Sequence, residues 1–227
     1  MNGSDITTCY RLIAELLLHP RERDADRIRL LLEQAIGAPP PLLEALRSFL
    51  GDPQGGSNAE YIQTLELSPP CPLYLGSYLF DEPTSCRGVG VSGRNLYMIE
   101  LRSIYRHFGF EMVAGELPDF LPVVADFLWI SNDASHRDSI GLRRYFIEHF
   151  VNPALDPLRS KLEEYESVYV LVIEALMVTL HHDLLGMADS PAWVPPKTAA
   201  SDERSNLCEH GCSAGKPELT GLGGLPS

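Results

Sequence analysis

Basic charge is what this chain has least of for its size. Eighteen lysines and arginines face 31 aspartates and glutamates, a formal net charge of -13 over 227 residues. Neutralising phosphates needs a basic surface, so nucleic-acid binding is excluded as a class, and an acidic body suits a protein that meets a cationic partner. Long apolar runs are also missing. No stretch approaches the roughly 18 residues that a membrane-spanning helix needs. Cysteine is sparse: five residues, an odd number, without disulfide-like spacing, which fits a reducing compartment where thiols stay free. Residues 1–20 lack the basic start and small-residue cleavage site of a secretory signal. These absences together lead us to expect a soluble, cytoplasmic protein.

What is present is a helical code. Ser4 and Asp5 are good caps for a run in which Ile6, Tyr10, Ile13, Leu16 and Leu17 recur at helical spacing until His19-Pro20 stops it. Residues 24–36 place Ile28, Leu31, Leu32 and Ile36 on one face, with Gly37 as a stop. A short helix is expected over 42–50, and another over 59–67 with Tyr61, Leu65 and Ile62 inward. Prolines 69, 70 and 72 then forbid helix. Residues 73–80 read either as a strand, with Tyr74, Gly76, Tyr78 and Phe80 on one face, or as a helix pairing Tyr74 with Tyr78; the helical neighbours favour helix.

From Arg94 to Phe108 the period is clean, with Leu96, Tyr97, Ile99, Leu101, Ile104, Tyr105 and Phe108 forming one wide stripe ended by Gly109. Asp119 is placed to cap the next helix, because Pro122 then falls in its first turn. Helices over 137–150 and 155–187 complete the set, the last apolar on nearly all sides and so expected at the bundle centre. After Met187 apolar anchors thin out. We expect an all-α fold, a single bundle of roughly eight to ten helices over 1–189, followed by a disordered tail over 190–227.

Four local signals carry possible chemistry. Gly88-Val89-Gly90-Val91-Ser92-Gly93 is a literal G-x-G-x-x-G before a helix, with Glu111 and Glu116 downstream. Gly88, Gly90 and Gly93 would let a pyrophosphate approach backbone in a βαβ unit, but helices flank this loop, so a hinge is the expected role. Cys208-Glu209-His210-Gly211-Cys212 offers zinc-type ligands at a spacing unlike a zinc pair, and no metal site is expected. Glu174, His181, His182 and Asp183 share the long apolar helix. Histidines at its negative end are favourable without any catalytic role, so an enzyme is not expected. Finally, Glu116-Leu117-Pro118-Asp119 stands with Tyr61, Tyr74 and Tyr78, read as exposed, and with Arg87. Asp119 is then either a cap or part of a groove whose tyrosine faces and carboxylates receive a basic peptide.

The order of these pieces resembles the TorD/DmsD/NarJ superfamily of redox-enzyme maturation chaperones. The matching parts are Ala59-Glu60-Tyr61 through Leu65-Glu66-Leu67, Pro72-Leu73-Tyr74-Leu75-Gly76-Ser77-Tyr78-Leu79, Arg87-Gly88, the helix from Leu96-Tyr97 to Phe108-Gly109-Phe110-Glu111, and Glu116-Leu117-Pro118-Asp119 followed by Leu121-Pro122-Val123-Val124. They span residues 59–130. The resemblance implies an all-helical chaperone, and we expect no cofactor. It would bind the N-terminal, often twin-arginine, signal segment of a molybdopterin-dependent catalytic subunit and hold it for cofactor insertion before export. It carries peptide contacts to Tyr61, Leu65, Pro118 and Asp119. The chain departs from the family in Phe120, where many members have histidine, and in Thr64, where many are apolar. A twin-arginine segment bears two guanidinium groups and then an apolar run, so its receptor needs carboxylates beside an apolar groove. Asp81, Glu82, Glu116 and Asp119 can supply the first, and Tyr74, Tyr78 and Phe120 the second. The alternative is a carrier of a nucleotide or molybdenum cofactor at the 88–93 loop. A monomer and a helix-exchanged dimer are both compatible with the loops.

Overall fold

The apolar periods fold as a layered helical bundle in the structure, a computed structural model that describes residues 3–66, 70–80, 93–112 and 115–194. Helix α1 (Gly3–Leu17) is the element most others touch, packing against α2 (Ala25–Gln34), α7 (Leu121–Ile130) and α10 (Val170–Gly186). It can do so because Ile6, Cys9, Tyr10, Leu12, Ile13, Leu16 and Leu17 are all buried, wrapping more than one face. Helix α10 lies between α1, α3 (Pro40–Gly51) and α9 (Asn152–Glu164). It is less central than its composition suggests: Leu185 is exposed, and Met177 and Val178 are only half-buried. The fold is all-α, as expected. Among the described residues no strand ladder occurs, and no helix is long and apolar enough to cross a membrane.

Several boundaries shift for identifiable reasons. After α2 the chain tightens into a 3-10 turn, Ala35–Gly37, which carries Ala35 inward and leaves Ile36, expected in the core, 84% exposed. A turn of three residues advances the buried face faster than the 3.6 of an α-helix. Helix α4 (Asn58–Tyr61) widens into a π-turn, Ile62–Glu66, and α8 (Ile140–Phe146) passes through another, Ile147–Val151, into α9. In α6 (Gly93–His107) the buried stripe is narrower than read from sequence: Tyr97, Leu101, Ile104 and Tyr105 are buried, whereas Leu96 and Ile99 face out. The compact unit runs to Trp193, whose ring lies 4.7 Å from that of Tyr145. The tail expected to be disordered falls outside the described residues from 195 onward.

One buried charge pair ties four helices together. Arg143 of α8 places Nη1 2.6 Å from Asp183 Oδ2 of α10, and both side chains are almost wholly buried. Tyr10 of α1 donates its hydroxyl to the same carboxylate oxygen at 2.7 Å. The other guanidinium nitrogens donate to Leu128 O and Ser131 Oγ, at the end of α7. Each charge is thus compensated, which a buried pair requires. Arg143→Met leaves the Asp183 carboxylate buried without its cation and is expected to cost about 3–5 kcal/mol in urea unfolding. Arg143→Met combined with Asp183→Asn removes the stranded charge while keeping an acceptor for Tyr10, and is expected to recover part of that loss.

Candidate functional site

The segment 115–121 becomes a site because it is strapped to a second segment from across the chain. Gly115 turns the chain with φ of 113°, a conformation suited to glycine. The next residues then run alongside Leu73–Gly76. Leu75 N donates to Asp119 O at 3.0 Å and Leu121 N donates to Leu73 O at 2.8 Å, an antiparallel bridge that sets Tyr74 opposite Phe120. Tyr105 of α6 fixes the bend from behind, its hydroxyl donating to Pro118 O at 2.7 Å. The two readings of residues 73–80 therefore each hold in part. Tyr74 pairs with Phe120 in an isolated bridge, Leu75 already has helical dihedrals (φ -58°, ψ -37°), and a single helical turn, α5 (Gly76–Leu79), follows.

Asp119 does not cap α7. That position falls to Phe120, which makes no side-chain cap bond, while Pro122 sits in the first turn as expected. The Asp119 carboxylate instead crosses to the first turn of α5. Its Oδ2 accepts from Gly76 N at 3.0 Å and lies 3.5 Å from Nη2 of Arg94, the second residue of α6. The Asp119 side chain is 0% exposed and that of Arg94 32%. Oδ1 is buried and has no hydrogen-bond partner. Burial pushes the Asp119 carboxyl above its ordinary range, against the pull of the Gly76 amide, of Arg94 and of its own backbone amide. Gly76 is required for this approach. A Cβ there would stand 2.7 Å from Asp119 Oδ2 and 3.1 Å from Arg94 Nε.

The strap presents an aromatic pair to solvent. Tyr74 and Phe120 are each half-buried, with ring centroids 5.1 Å apart. Burial first, and then the negative charges of Glu116 and Asp119, raise the Tyr74 hydroxyl pKa. These carboxylates thus bear on a half-exposed aromatic face. Tyr78 of α5 is half-buried, its hydroxyl donating to Pro72 O. A cleft of about 440 Å³ opens on the α6 side, where Glu116, Glu111, Phe110 and Met112 join Arg102 and Arg106 in the lining.

Other expected site residues lie elsewhere. Tyr61 is not a rim residue: it is 3% exposed, its hydroxyl donates to Leu17 O, and its ring packs edge-on against His19 and Tyr169. Leu65 is buried likewise, and Pro118 is buried beneath the strap. All three complete the core in this conformation, Tyr61 and Leu65 through their helix faces and Pro118 through the bend. Arg87, Gly88, Gly90, Asp81 and Glu82 lie outside the described residues, as do Cys208, His210 and Cys212. Gly93 opens α6 and is exposed, close to the Phe80 ring. Asp183 is committed to Arg143, and among the described residues no group of three His, Cys, Asp or Glu could hold a metal ion.

Arg94 and Tyr105 were missed as site residues. Arg94 did leave a trace in the sequence: a cation at the start of a helix opposes the macrodipole and needs a carboxylate from elsewhere. No protein-family model matches the chain, and no curated protein matches it.

Because the folded state holds a proton on Asp119 more tightly than the unfolded chain does, this residue's contribution to stability must fall as pH rises from about 4 through its raised folded value. The unfolding free energy of the native protein minus that of Asp119→Asn is therefore expected to decrease over that window; a pH-independent difference would contradict it. Gly76→Ala is expected to lower stability by about 1–3 kcal/mol in the same assay, through the crowding of Asp119 and Arg94.

Proposed function

We propose that this protein is a binding protein for the N-terminal segment of a partner enzyme, acting in the cytoplasm as a maturation chaperone of the TorD/DmsD/NarJ type. The observation that carries the reading is the strap itself. The Glu116-Leu117-Pro118-Asp119-Phe120 stretch brings carboxylates and a half-exposed Tyr74–Phe120 pair into one place, and it does so through contacts with the aromatic segment that accompanies it in the resemblance.

The chemistry of the proposed ligand matches those groups. A segment with two adjacent arginines offers planar guanidinium groups that bind carboxylates bidentately and stack on aromatic faces. The apolar run behind them would cover Tyr74, Phe120 and the exposed Leu117, and the Phe110–Met112 side of the cleft lies on the same loop. Net charge of -13 speeds encounter with such a segment and keeps nucleic acid away. The reading requires no reaction at the site, so we assign no enzymatic step. The client in this proposal is the catalytic subunit of a molybdenum enzyme, held until its cofactor is in place.

Tagging the protein in its own cells and identifying co-purifying proteins by mass spectrometry tests this directly. The expected partner is a cofactor-free molybdenum-enzyme subunit with an uncleaved N-terminus; recovery of a bound nucleotide without any protein partner would contradict the chaperone reading. Asp119→Ala is expected to reduce recovery of the client by about tenfold or more, as loss of a charge-assisted contact implies. The folded fraction, followed by circular dichroism, should fall much less. Loss of folding with undiminished capture by the protein that remains folded would leave Asp119 a structural residue only.

A further inference from the structure

Asp119 is held in a way that uses half of its carboxylate. Both contacts fall on Oδ2, and Oδ1 is buried without a partner. A guanidinium docked on a carboxylate normally makes two parallel bonds of about 2.7–2.9 Å. Arg94 makes a single contact at 3.5 Å. Its position is also poor for a permanent partner, since the second residue of α6 stands at the positive end of that helix. Of the two groups touching Oδ2, Gly76 is buried and Arg94 reaches solvent. A Cβ at residue 76 would crowd both Asp119 Oδ2 and the Arg94 side chain, so their close approach depends on glycine there.

We propose that Asp119 is a receptor for a guanidinium group and that Arg94 occupies it in the free protein as a stand-in for an arginine of the partner segment. The inference rests on the peptide-binding reading above. On binding, the incoming arginine takes Oδ1 and Oδ2 together, Gly76 keeps its bond to Oδ2, and the already part-exposed Arg94 side chain turns into water. A carboxylate has acceptor sites enough for all three donors. Two properties follow. The site selects arginine over lysine, because an ammonium cannot make the paired bonds. It also discriminates against stray arginines, because competition from Arg94 scales the apparent affinity down to the fraction of time the receptor is free, and a ligand overcomes it only by covering Tyr74 and Phe120 as well.

The test is calorimetric titration of the full chain with a synthetic peptide bearing two adjacent arginines followed by an apolar run, and with the same peptide bearing two lysines. The native protein is expected to prefer the arginine peptide by about tenfold. Arg94→Gln keeps an N–H for Oδ2 but removes the competing charge, and should bind the arginine peptide about five- to tenfold more tightly than the native protein does. Asp119→Asn should erase the arginine preference. If Arg94→Gln binds more weakly than the native protein or equally well, while Asp119→Asn still loses affinity, the stand-in role is overturned and Arg94 merely positions Asp119; the peptide reading survives. If the native protein binds neither peptide, or Asp119→Asn binds like the native protein, the peptide reading fails and takes this inference with it. Should Arg94→Gln not fold, Arg94→Lys decides: a smaller tightening is expected, and unchanged or weaker binding would overturn the proposal.

Discussion

A carboxylate removed from water must find compensation, and Asp119 finds it 43 residues away at Gly76. That constraint shapes everything around the candidate site. It needs a residue without a side chain at 76, so that oxygen and backbone can meet, and an arginine at the start of α6, where a cation would otherwise be disfavoured. It also needs the 115–121 bend held in register, which the Tyr105 hydroxyl and the Tyr74–Phe120 bridge achieve. The half-exposed aromatic pair is a consequence of that register, because a shift of one residue would turn Phe120 to the other side of the strap.

The bundle gives the strap a rigid support. Tyr105 is part of an aromatic cluster with Phe110, Phe127 and Phe146, so the hydroxyl that fixes Pro118 is itself immobilised by close-packed rings. The Arg143–Asp183–Tyr10 network stands apart from this as a joint between α1, α7, α8 and α10. Its groups are all mutually satisfied, whereas Asp119 keeps one oxygen without a partner. That contrast separates a fully compensated buried carboxylate from one with an unused acceptor, which is the feature the proposed guanidinium site draws on.

Much of the fold was legible because helices write their periods locally. Helix α1, the stop before Pro20, the non-helical backbone at Pro70 and Pro72 and Pro122 in the first turn of α7 all follow from spacing and backbone chemistry. The errors came where a tertiary partner decided the outcome. Asp119 looked like a helix cap because its real partner lies far off in sequence. Tyr61 looked available because a helix of about one turn carries too little pattern to tell rim from core, and only the packing of His19 and Tyr169 settles it. Ile36 went astray through a 3-10 turn whose period differs from that of the helix before it. Arg94 could have been found from sequence alone, by asking what offsets a cation at a helix start.

The measurement that bears most directly on the account is the amide spectrum of the isotopically labelled protein during titration with the two-arginine peptide. The Gly76 amide, bonded to Asp119, is expected to shift early and strongly, together with Tyr74 and Phe120, while Tyr61 and Leu65 stay unmoved in the core. Saturable binding that leaves Gly76, Tyr74 and Phe120 untouched and perturbs other residues instead would contradict the assignment of this strap as the site.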